Sequence, residues 1–110
     1  MKKIILLIGT LLFLSFSVMA EQHADAALEH ASAALAEGKQ GNVEILAQHA
    51  TQAVKHAELA VQAANGPSKA HIESGLKHLH EAIKQAKAGH GSKADEHIQT
   101  AIEHIKTGNK

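Results

Sequence analysis

Apolar residues recur along most of this chain at spacings of three and four. In one stretch the stripe is Ile72, Gly75, Leu76, Leu79, Ala82, Ile83 and Ala86; in the next it is Ala94, Ile98, Ala101, Ile102 and Ile105. These are heptad a, d and e positions, one face of an amphipathic helix. After residue 20 the pattern is broken only at Gly38–Gly41, Asn65–Pro67 and Gly89–Gly91. The residues between the breaks are mostly Ala, Glu, Lys, Gln, Leu and Ile, which are good or tolerable helix formers. The pattern predicts four helices, at about 22–37, 43–64, 68–88 and 92–107, with Ser68 and Ser92 placed as N-caps.

The two halves of this region match without a gap. A shift of 48 positions carries His23, His30, His49 and His56 onto His71, His78, His97 and His104, Leu28 onto Leu76, Leu35 onto Ile83, Gly41 onto Gly89 and Val54 onto Ile102. One helical hairpin has been duplicated. The expected fold is all-α, an antiparallel up-down-up-down four-helix bundle with short turns.

A seven-residue unit underlies the repeat, and Gln48–Val61 (QHATQAVKHAELAV) states it twice. Its second place is histidine, and eight of the ten histidines stand there, so the chemistry of the chain is the chemistry of evenly spaced imidazoles. Each of these histidines immediately precedes an a residue. It is therefore a g residue, on the margin of the apolar stripe. Across an antiparallel pair, g margins can face each other. The first turn is centred between Lys39 and Gln40, which sets His30 level with His49 and His23 with His56. The same arithmetic sets His78 with His97 and His71 with His104. A third level carries Glu37 opposite Asn42 and Gln85 opposite His90.

Residues seven apart lie ~10.5 Å apart along a helix, whereas a metal–imidazole bond is about 2 Å. One helix cannot bring two of its own heptad histidines to one ion; two helices can. The spacing points to several separate two-His sites in a row, completed by water or an oxygen donor, rather than to one cage. A lone His on a helix margin is ordinarily a half-exposed polar residue. Eight at one heptad place, recurring within each hairpin as well as between them, favour metal ligation, for which imidazole is the commonest side chain. His80, toward the polar face, and His90, in a turn, read as solvated surface or auxiliary ligands. Glu37, Gln52 and Glu81 near the margins read as solvated surface. Imidazole with water or carboxylate suits Cu(II), Ni(II) and Zn(II), and Cu(II) leads on affinity.

The first twenty residues change the picture. Met1-Lys2-Lys3, an apolar run from Ile4 to Phe16 and the small-residue site Val18-Met19-Ala20 describe a secretory signal peptide, 1–20, removed after Ala20; a retained membrane anchor is the rival reading, and the run is shorter than the ~20 residues a span prefers. Domain 21–110 would then be released into the periplasm with no stable membrane association. It keeps nine Lys against eleven Asp and Glu, which gives no basic face for nucleic acid. There is no cysteine, which excludes disulfides, thiolate sites and Fe–S clusters. Cleavage would also leave Glu21-Gln22-His23 at the N-terminus, where the amine, two amides and the third-residue imidazole can wrap Cu(II) or Ni(II) in a square plane. No HExxH, no Glu-x-x-His, no phosphate-binding loop and no triad spacing is present, so no catalysis is assigned.

These His-bearing heptads, with the leader and the four-helix layout, resemble the small metal-binding protein family (SmbP-type periplasmic copper-binding bundles). The likeness is closest over His71–Lys106, HIESGLKHLHEAIKQAKAGHGSKADEHIQTAIEHIK. The resemblance implies binding of several divalent ions, Cu(II) foremost, in copper storage, detoxification or trafficking. By position it marks His23, His30, His49, His56, His71, His78, His97 and His104 as ligands, with His90 in register. The His-poor first turn and Ala-rich first helix depart from it and imply lower capacity in the first half. A monomer that buffers metal is the expected function. The competing class is an extracytoplasmic helical adaptor whose histidines respond to acid.

Overall fold

The computed structural model describes residues 2–109, and side chains for residues 18–109. Among the described residues the chain forms four helices and no strand: α1 Lys2–Lys39, α2 Val43–Ala63, α3 Gly66–Lys87 and α4 Gly91–Gly108. The expected signal peptide, residues 1–20, lies outside the described side chains through residue 17. Helix α1 runs past Ala20 and Glu21 without a break, whereas the sequence predicts a start near residue 22. No Gly or Pro stands between Phe16 and Gly38, so nothing there ends a helix. Among residues 18–109, no helix is long and apolar enough to cross a membrane.

Each helix packs on two neighbours, α1 on α2 and α4, α3 on α2 and α4, so the four form a closed square. All neighbours are antiparallel. His23 meets His56 and His30 meets His49 across α1 and α2, and His71 meets His104 and His78 meets His97 across α3 and α4. Asn109, just past α4, donates its side-chain amide to Asp25 of α1 at 2.7 Å.

The buried helix positions follow the a and d places, with Val54 added at an e place: Ala24, Ala27, Ala31 and Ala34 in α1, Leu46, Ala50, Ala53, Val54, Ala57 and Ala60 in α2, Ile72, Gly75, Leu79, Ala82 and Ala86 in α3, and Ala94, Ile98, Ala101, Ile105 and Gly108 in α4. The e residues Leu28, Leu35, Leu76, Ile83 and Ile102 cover this core from its rim. The halves have diverged in volume. At a positions the second hairpin carries Ile72, Leu79, Ile98 and Ile105, all buried, where the first carries Ala24, Ala31, Ala50 and Ala57. Within the second hairpin the large residues lie against glycines, Ile105 beside Gly75 and Ile72 beside Gly108, as close packing requires.

The two hairpin turns share one mechanism. In the first, Gly41 N–H donates to the Gly38 carbonyl at 3.0 Å and Asn42 N–H to the Glu37 carbonyl at 2.9 Å. In the second, Gly89 donates to Ala86 at 3.0 Å and His90 to Gln85 at 2.8 Å. This is a Schellman closure, which needs a left-handed residue at its turn; Gly41 and Gly89 supply it at φ 83° and 82°. The expected caps differ. Asn65 and His90 occupy the N-cap positions, without side-chain cap bonds. Pro67 fits the first helical turn with its fixed φ, so α3 starts before Ser68. Ser68 instead donates its hydroxyl to the Gly108 carbonyl, tying α3 to the end of α4.

Candidate metal centres

Every heptad histidine directly precedes a fully buried residue: Ala24, Ala31, Ala50, Ala57, Ile72, Leu79, Ile98 and Ile105. Anchored by that neighbour, each ring is held half-buried on the helix margin, while His80 and His90 are exposed. Helices α1 and α2 bring four rings together along one seam, and α3 and α4 bring four along another. Because α1–α2 and α3–α4 are opposite sides of the square, the seams lie on opposite faces.

All four expected pairs form. Ring centroids are 5.7 Å apart for His23–His56, 6.0 Å for His30–His49, 6.2 Å for His71–His104 and 5.3 Å for His78–His97. Two pairs face each other nitrogen to nitrogen, with Nδ1–Nδ1 distances of 3.4 Å for His23–His56 and 3.0 Å for His78–His97. Two nitrogens bonded to one ion at about 2.05 Å stand ~2.9 Å apart at a right angle and ~3.35 Å apart at the tetrahedral angle. Both pairs fit that range closely, and without an ion the same spacing suits a hydrogen bond between a donor and an acceptor nitrogen.

Besides the level pairs that the sequence predicts, the structure adds two diagonal contacts. His30 also lies 5.6 Å from His56, and His78 lies 5.7 Å from His104, with ring planes within 10° and 8°. Each Cα–Cβ bond leans toward its own helix N-terminus. In an antiparallel pair the two sets of side chains therefore lean in opposite directions. His30 leans away from the turn and His56 toward it, which closes the diagonal. Equal-height arithmetic counts Cα positions and misses this shear; the lean of Cβ was the signal available to find it.

The turn ends of the seams differ in chemistry. Asn42 donates to Glu37 at 2.8 Å, and His90 Nδ1 lies 2.9 Å from Gln85 Oε1, so the third-level pairs form as expected. Gln85 also donates to Glu81 at 3.2 Å. Glu81 is half-buried, and its negative charge favours protonated His78, so a carboxylate stands by the second seam. Its equivalent by the first seam is Ala33. Gln52 and His80 point to solvent. Residues 21–23 are helical, and His23 faces His56. A square plane built from the Glu21 amine would require that turn to unwind.

Burial holds the His56 imidazole below its ordinary pKa, and the charges of His30 and His23 push it the same way. His78 is lowered by burial first, then by His97 and His104, with Glu81 opposing. Both effects favour the neutral ring, which is the form that ligates metal. Among the described residues no group of three or more His, Asp or Glu is gathered tightly enough to hold one ion. Each histidine pair thus offers at most two ring nitrogens to a shared partner.

Residues 1–108 match the family model described as small metal-binding protein. No curated protein matches the chain.

Proposed function

The chain belongs to the small metal-binding protein family, and from that premise we propose that it is a metal buffer, taking up divalent transition-metal ions, Cu(II) foremost and Ni(II) and Zn(II) less tightly, on its inter-helix histidine pairs. The observation that carries this reading is the nitrogen spacing of His23–His56 and His78–His97, 3.4 and 3.0 Å, which matches two bonds to one ion.

Imidazole donors with no thiolate on the chain, and with the Met19 thioether removed along with the leader, favour Cu(II) among the divalent ions. Two protein ligands hold an ion less firmly than a closed four-ligand site, which suits storage and release better than a structural or catalytic role. No catalysis is assigned. Each seam is complete within one chain, so the site asks for no second copy, and we take the working form to be a monomer. The leader pattern of residues 1–20 supports export and action in the periplasm, where Cu(II) meets no thiol competitor on this chain. Glu81 gives the second seam an added oxygen donor, so its ions should be held more tightly than those of the first hairpin.

Equilibrium dialysis against Cu(II), Ni(II) and Zn(II) at neutral pH tests the reading. More than one ion per chain, with Cu(II) tightest, is expected. Less than one ion per chain would instead favour an acid-responsive helical adaptor. An ion that binds only the folded chain also stabilises it, by ~2.7 kcal/mol at a hundredfold excess over Kd. Saturating Cu(II) should therefore raise the melting temperature.

A further inference from the structure

We infer that the diagonal contacts His30–His56 and His78–His104 are themselves ion-binding positions, which makes each seam a track of three overlapping sites. This rests on the buffering role proposed above and adds to it a route by which an ion moves along the protein.

Two rings sharing one ion reach a centroid separation of at most ~6.3 Å, given bonds of about 2.05 Å and a centroid about 1.1 Å behind the nitrogen. The diagonals, at 5.6 and 5.7 Å, lie inside that limit. They are also shorter than one of the level pairs in the same seam, 6.0 Å for His30–His49 and 6.2 Å for His71–His104. By ring proximity the diagonals stand with the level pairs His30–His49 and His71–His104, and rotation of the rings about their side-chain torsions would bring two nitrogens onto one ion. The arrangement occurs in both hairpins, although their core residues differ.

Ring chemistry then sets the rule of occupancy. A neutral imidazole has one free nitrogen lone pair, the other nitrogen carrying its proton. His30 and His56 each belong to two adjacent positions but can serve only one ion at a time. A fully loaded seam holds two ions, on its outer pairs. A seam with one ion has three positions open to it. An ion passes from His23–His56 to His56–His30 by keeping His56 and exchanging one ligand, and then to His30–His49 by keeping His30. At no step does it leave the protein, so release can occur at the end of the bundle or near the turn.

The test isolates single pairs in the full chain. The second seam is silenced by replacing its four heptad histidines with Ala, and two histidines are then removed from the first. His23→Ala/His49→Ala leaves the diagonal, His30→Ala/His49→Ala leaves the level pair His23–His56, and His23→Ala/His30→Ala leaves two rings on one helix. Each variant keeps two heptad histidines, and circular dichroism confirms its helices before Cu(II) titration. The diagonal variant should bind one Cu(II) within about tenfold of the level-pair variant, and both at least about tenfold tighter than the same-helix control. A diagonal no tighter than the control, beside a tight level pair, overturns the track while leaving the buffer reading intact. If the level pair is also no tighter than the control, paired sites fail altogether. His71→Ala/His97→Ala, made with the first seam silenced, repeats the test on His78–His104 should a first-hairpin variant fold poorly.

Discussion

Ala31→Leu asks whether the small-residue core of α1 is what brings the first seam together. Ala31 is completely buried and directly follows His30, whose ring touches both His49 and His56. Leu is nearly as good a helix former as Ala, so the helix itself should be untouched. Ala31 is fully enclosed, and the duplicate position of the second hairpin already carries a buried Leu79, so a second large side chain is expected to overpack the core. Packed helices stand 8–10 Å apart according to the size of the side chains between them, so a small-to-large change can widen the gap by up to ~2 Å. The ring contacts of His30, now 5.6 and 6.0 Å, would then move beyond the ~6.3 Å within which two imidazoles share an ion. Overpacking costs about 1–3 kcal/mol, and at ~4–8 °C per kcal/mol for a domain of this size the metal-free melting point should fall by roughly 4–24 °C. Thermal melts followed by circular dichroism, with Cu(II) dialysis of the same protein below its transition, read both effects. Binding by the first seam should be lost while the second seam keeps its ions. A variant that melts lower yet binds the full complement at unchanged affinity would refute the link between core size and seam spacing.

Three other outcomes follow from named contacts. His56 and His78 are harder to protonate folded than unfolded, so the unfolded chain takes up more protons as pH falls. Metal-free stability should fall from just above the ordinary imidazole pKa, ~6.5, down to the lowered folded values and then level off; denaturation midpoints across that range should show the slope, and His56→Gln and His78→Gln should flatten it. Asp95 is half-buried beside Gly38, its Oδ1 has no hydrogen-bond partner, and burial raises its pKa against the opposing pull of Lys39. Its equivalent in the first hairpin is Ala47, so Asp95→Ala should raise the neutral-pH melting point by a few degrees, about 0.5 kcal/mol. A Cβ on Gly75 would stand 2.6 Å from Ile105 Cγ1 and 3.1 Å from the Ala101 carbonyl; Gly75→Ala should therefore lower stability by about 1 kcal/mol, because overpacking outweighs the gain in helix propensity. A double-mutant cycle should show that cost disappearing in an Ile105→Ala background, since the first hairpin carries Ala27 and Ala57 at the same two places.

Much of this was legible along the chain, because heptad spacing and breaker placement are local properties. The strict a and d repeat, the three breaks and the 48-residue shift were enough to expect four antiparallel helices, and the histidine before each a residue was enough to pair His23 with His56 and His78 with His97. Other features depend on how backbones approach in space. Ser68 looked like a cap, but Pro67 could already begin the helix. Equal-height pairing ignored the opposite lean of Cβ on antiparallel helices, which only the assembled seam makes visible as the His30–His56 and His78–His104 diagonals. The seating of Ile105 against Gly75 and of Ile72 against Gly108 is likewise a tertiary fact. Sequence by itself determined which residues stand on the margin, because periodicity assigns a face. Tertiary packing decided how far apart the margins lie and how their rings interleave, because those distances follow from the summed size of buried side chains on all four helices.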